Sequence, residues 1–177
     1  MASTYNYLGI ELMATGENAG TWGTKTNTNL NIIQQAASGY HSQVVSGTGT
    51  TTLAITDGDS TSTADSLTNA ARNQVIELTG TITGNIIVTF PDATEGLKVV
   101  FNNTSGGYTV QLKGASDGGS GTTFATTDKG KKMVYMSGSN LVEVTLATDP
   151  AGSTTEIQYN NSGAFGADSN LIWNAST

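Results

Sequence analysis

A chain of 177 residues with 36% hydrophobic content can fill one modest core, which excludes two large domains. Only 12% of residues are charged and the net charge is −7. The seven basic residues are scattered apart from Lys129, Lys131 and Lys132, so no face can neutralise a run of phosphates and nucleic-acid binding is excluded. The lack of cysteine removes disulfides and thiolate chemistry. No run approaches the roughly 18 apolar residues of a spanning helix, and the N-terminus has no signal-peptide pattern, so neither membrane insertion nor targeting is expected.

Residues 1–43 read as an N-terminal segment with a texture of its own. Tyr5, Tyr7, Leu8, Ile10, Leu12 and Met13 make a short apolar stretch, and residues 16–23 a glycine-rich loop around Trp22. From about Thr26 the period becomes helical. Leu30, Ile33 and Ala37 fall on one stripe, with Ile32, Ala36 and Tyr40 on the adjoining row, and Thr28 stands where an N-cap oxygen is needed. Ser38-Gly39 stops this helix after about three turns. It is too short to stand alone in water, so its apolar stripe needs a surface to lie on.

Residues 44–149 read as a β domain. Gln43-Val44-Val45 and Thr52-Leu53-Ala54-Ile55 are predicted strands, followed by a polar loop from Asp57 to Asp65. Three hairpins are then predicted. The first is Val75–Thr83 and Ile86–Phe90 about Gly84-Asn85, closed by Pro91. The second is Leu97–Asn102 and Tyr108–Lys113 about a glycine turn, and the third is Met133–Met136 and Leu141–Leu146 about residues 137–140. Short, evenly punctuated and half-polar strands favour a mainly β fold: an antiparallel, jelly-roll-like sandwich with one short N-terminal helix, rather than a parallel α/β sheet.

Residues 150–177 follow a change of composition at Asp149-Pro150 and read as a C-terminal hairpin, with strands at Glu156–Asn160 and Leu171–Trp173 and a turn at residues 161–163. So small a hairpin is marginal alone. Tyr159, Phe165 and Trp173 are therefore expected to pack on other copies or on the preceding domain. Residues 173–177 look like the start of a further strand, so the chain is expected to continue.

Chemistry is sparse. His41 is the only histidine, and the expectation for it is a solvated linker residue rather than a triad base. The Gly20–Thr26 loop lacks the Gly directly before Lys of a phosphate-binding loop. Asp57, Asp59 and Asp65 supply oxygens for Ca²⁺ without EF-hand spacing, so a plain loop is the simpler reading. Lys129–Lys132 reads as a solvated turn entering an edge strand. No pair of carboxylates is singled out for glycoside cleavage. Neither a catalytic residue nor a cofactor is expected.

Residues 8–17, Gly20–Gly23 and Thr26–Leu30 together resemble the opening of tail-fibre and related virion structural proteins of tailed bacteriophages, especially marine and cyanobacterial ones. Residues 73–83, 103–110 and 139–143 resemble the β domain that follows in that family, and residues 156–168 are similar to the segment that opens its repetitive shafts. The resemblance implies a homotrimeric fibre located in the virion tail. Its N-terminal portion would anchor on tail adaptor or nozzle proteins, and a distal region beyond this chain would meet the host. It makes Trp22, Leu30, Ile33 and Ala37 candidates for tail docking or intersubunit packing, against the alternative that they are the ordinary core of a monomer. Tyr159, Phe165 and Trp173 become candidates for trimer or shaft packing. Two other functions fit the same scaffold: a capsid or tail decoration protein, and a carbohydrate-binding or depolymerising module acting on the host surface.

Overall fold

The computed structural model describes residues 2–92, 94–119, 121–145, 156–161 and 164–172. They fall into two compact units, Met1–Val144 and Thr145–Thr177, so residues 1–43 share one unit with the β domain. Among the described residues the fold is mainly β with one α-helix.

In the first unit, β1 (Thr4–Tyr5) and β2 (Glu11–Leu12) form a small antiparallel ladder ahead of helix α1 (Trp22–Ser38). The helix begins earlier than its apolar period suggests: Thr21 is the cap and Trp22 the first helical residue, while Gly39 ends it in extended backbone. Strands then alternate between two sheets: β3 (Tyr40–Val44), β4 (Gly47–Thr52), β5 (Val75–Thr79), β6 (Ile82–Phe90), β7 (Leu97–Asn102) and β8 (Val110–Gly114). Strands β3, β5 and β7 pair in parallel in one sheet, and β4, β6 and β8 pair in parallel in the other. Finally β9 (Thr122–Phe124) adds antiparallel to β8, β10 (Lys131–Ser137) adds antiparallel to β7, and β11 (Asn140–Glu143) pairs with β10. The result is a five-stranded sheet ordered β11-β10-β7-β5-β3 and a four-stranded sheet ordered β4-β6-β8-β9.

Two of the three predicted hairpins are therefore not hairpins. Gly84-Asn85 lies inside β6, and β5 and β6 belong to different sheets, as do β7 and β8. The chain crosses between sheets at Gly80-Thr81 and at residues 103–109, making arches that stack on one another. Ser105 N donates to Gly80 O at 2.9 Å, Ile82 N donates to Ser105 O at 3.0 Å, and Gly47 N donates to Thr81 O at 3.1 Å. An arch and a hairpin use the same glycines and asparagines; what separates them is which side the flanking apolar residues face. Here Ile76 and Leu78 before the crossing, and Ile82, Ile86 and Val88 after it, all point into one core. The third predicted hairpin is present as β10–β11, with Ser137 opposite Asn140. The second predicted strand begins earlier than expected, at Gly47, and ends at Thr52.

The core joins both sheets, with Val100, Val134, Met136 and Leu141 from one and Val88, Phe90, Val110, Leu112 and Phe124 from the other. Strand β10 lies between β7 and β11, not at an edge. Lys132 accordingly points inward and pairs with Glu143 at 2.8 Å, while Lys131 Nζ sits 4.3 Å over the Phe101 ring. His41 is buried in β3 at 3.3 Å from Gln43 Oε1, so it is a core residue and not a solvated linker. The second unit contains the predicted antiparallel hairpin, β12 (Glu156–Asn161) and β13 (Ala164–Ile172).

Candidate assembly surface

Helix α1 has two faces of opposite fate. Ile32 and Gln35 are buried, and Lys25, Asn29 and Ala36 on the same side are half-buried. The stripe of Leu30, Ile33 and Ala37 is exposed, and Trp22 joins it. At 3.6 residues per turn these four span an arc of about 80°. Trp22 is 64% exposed, Leu30 57% and Ile33 48%. The stripe thus lies outside the core of the first unit; Ile32 and Ala36 of the adjoining row turn inward in its place, while Tyr40 falls beyond the helix, in β3, and is exposed.

A polar network explains this orientation. Arg72, at the end of a short 3₁₀ turn (Ala70–Arg72), is fully buried. Its Nε donates to Leu8 O at 2.7 Å, Nη1 to Asp59 O at 2.7 Å and to Gln35 Oε1 at 3.0 Å, and Nη2 to Thr56 O at 3.0 Å. Desolvation lowers the guanidinium's pKa, opposed by the nearby Asp59 and Asp57 carboxylates. Gln35 also donates to Ser60 O at 2.5 Å. The helix is fixed with Gln35 inward because a buried guanidinium left without acceptors is costly.

The N-terminal arm is tied to the same helix. Glu11 Oε2 pairs with Lys25 Nζ at 2.9 Å and Asn18 Nδ2 donates to Glu11 Oε1 at 2.9 Å. The Asn29 side chain bonds both backbone groups of Glu11, accepting from N at 3.0 Å and donating to O at 2.9 Å. The hydrogen bond from Asn18, then the one from Lys25, holds the Glu11 carboxyl below its ordinary pKa. Lys25 thus anchors the arm to the helix, with its ammonium engaged by a carboxylate. Tyr5, Tyr7, Leu12 and Met13 on that arm are exposed as well.

Asp59 and Asp65, two of the three loop acids, are occupied by the fold. Asp59 accepts from Thr61 N at 2.8 Å and from Asn69 Nδ2 at 3.0 Å, and hydrogen bonds from Thr61 lower its pKa. Asp65 Oδ1 accepts from Val44 N at 3.0 Å, and Asp65 N donates to Ser42 O at 2.9 Å, which covers the open edge of β3. Asp57 is exposed. Among the described residues no group of three or more metal-ligating side chains comes together.

In the second unit Tyr159 is 44% exposed, with Ile157, Leu171 and Ile172 exposed beside it in the hairpin. The Phe165 backbone belongs to β13, but its side chain lies outside the described residues, as does all of Trp173. No family model, curated protein or solved structure matches this chain.

Proposed function

We propose that the chain is a non-enzymatic structural protein of a bacteriophage tail: the N-terminal adaptor of a homotrimeric tail fibre, which attaches the fibre to the tail and so supports host adsorption. The observation that carries this reading is the helix stripe. Trp22, Leu30, Ile33 and Ala37 form an uncharged surface facing away from the chain's own core, on a helix whose other face is fixed by Arg72 and Glu11. A rigid amphipathic helix presenting apolar side chains outward is suited to docking in a groove of a tail protein.

The experiment is reconstitution on tails lacking the fibre. The wild-type chain should bind, and Ile33→Lys or Trp22→Ser should lose binding while remaining folded. Full binding by both variants overturns the docking role of the helix.

A host-surface carbohydrate-binding module is favoured by one other observation. The outer face of the four-stranded sheet has a shallow depression of about 400 Å³, lined by Thr48, Thr50, Asn85, Thr109, Gln111 and Thr123 around Ile87. Neutral hydroxyls and amides around an apolar floor suit a neutral sugar. Screening against a glycan array tests this reading, and no retained glycan sets it aside.

A further inference from the structure

The outer face of the five-stranded sheet is apolar along a full row. Tyr40, Val75, Val99 and Met133 are register partners across β3, β5, β7 and β10, and Val144, whose N–H bonds Met133 O at 2.8 Å, extends the row past the end of β11. A second row, Leu97, Tyr135 and Val142, lies beside it. Tyr40 is 58% exposed, Leu97 44% and Tyr135 41%, so nothing described within the first unit covers this face. Soluble monomers rarely leave so continuous an apolar face in water.

We infer that this sheet face is where copies of the chain meet one another, leaving the helix stripe free for the tail. The inference rests on the reading of the chain as a self-assembling fibre component. Charge favours a further copy of the chain as the occupant. The chain carries −7, so two copies repel over most of their surfaces. Among the described residues, the strands place one acid, Glu77, and one base, Lys131, on this face, both in the row that crosses Phe101. The face is therefore neutral, and an acidic chain can approach its own copy there without like-charge repulsion. Burial would leave neither charge without a partner. Glu77 accepts from the Tyr40 hydroxyl and from Asn103 Nδ2 at 2.7 Å, and Lys131 rests over the Phe101 ring.

The test is molar mass by light scattering across a dilution series, with circular dichroism as the check of folding. The wild-type chain should exceed its monomer mass of 18.2 kDa. Met133→Lys should raise the concentration for half-assembly by about a hundredfold, because it buries an unpaired charge between copies. The double variant Leu97→Ser/Tyr135→Ser changes only exposed side chains, keeps the fold, and should weaken assembly in the same direction. Ile33→Lys should leave the mass unchanged. If the wild-type chain assembles and both folded sheet variants assemble equally well, this inference fails while helix docking stands. A wild-type chain that stays monomeric at every concentration overturns this inference and the trimer reading together, and loss of tail binding by Ile33→Lys remains the separate measure of docking.

Discussion

Arg72 Nη1 and Gln35 Oε1 meet at 3.0 Å in the interior, and this contact joins the last turn of the helix to the turn that opens β5. The remaining guanidinium bonds go to three main-chain carbonyls, so Arg72 organises the N-terminal arm, the loop and the helix at once. Arg72→Met should cost about 4 kcal/mol, because it strands several buried acceptors. Gln35→Ala should cost about 1–2 kcal/mol. Urea unfolding measures both, and a loss below about 1 kcal/mol for Arg72→Met would show the network to be dispensable.

Lys98 is a buried cation whose hydrogen bond among the described residues is a long contact to Asn73 O at 3.5 Å. Burial pushes its pKa from 10.5 down to about 8. Below pH 8 both folded and unfolded chains carry the proton, and the full cost of burying it, about 3 kcal/mol, opposes folding. Between pH 8 and 10.5 the unfolded chain holds the proton that the folded chain has lost, so stability should rise with pH across that window. Lys98→Met should stabilise the fold near neutrality and flatten the rise. Stability of the wild-type chain that falls or stays level from pH 8 to 10 would contradict this.

Gly106 sits in the second arch with φ of +102°, where an added Cβ would lie 2.2 Å from Ile82 O. The contact is with main chain, so it cannot be relieved by turning a side chain. Gly106→Ala should cost about 3 kcal/mol. Gly107→Ala next to it meets nothing within 4 Å and should stay within about 0.5 kcal/mol of wild type. Equal effects at the two glycines would argue against the stacked arches.

The N-terminal arm should loosen in acid. Glu11, held below its ordinary pKa by Asn18 and Lys25, favours the docked arm above the unfolded carboxyl value of 4.5, and that contribution disappears as pH falls through the lower folded value. Exchange protection of residues 3–12, taken relative to the intrinsic rate at each pH, should fall between pH 5 and pH 3 more than in Glu11→Gln, whose arm is already loosened at the higher pH. The same loss of protection in both chains would remove Glu11 as the cause.

The sequence by itself determined the features that depend on near neighbours. Low charge, short β-prone runs and the 3.6-residue period at Leu30, Ile33 and Ala37 specify a mainly β chain with one helix, and local pairing about residues 137–140 specifies the β10–β11 hairpin. The C-terminal hairpin is legible for the same reason. Tertiary structure decided the rest. Parallel pairing of Val75 with Val99 and of Ile86 with Val110 joins residues separated by an entire crossing between sheets, which no turn signal reports. It also decided which helix row turns inward, because the acceptor needed by a buried arginine at position 72 outweighed the burial of Leu30 and Ile33. His41 became a core residue because the alternation of β3 turns His41 and Gln43 inward and Tyr40 and Ser42 to the outer face. The apolar period marked the helix stripe as a surface in want of a partner, and only the fold showed that the described residues of the first unit leave it uncovered.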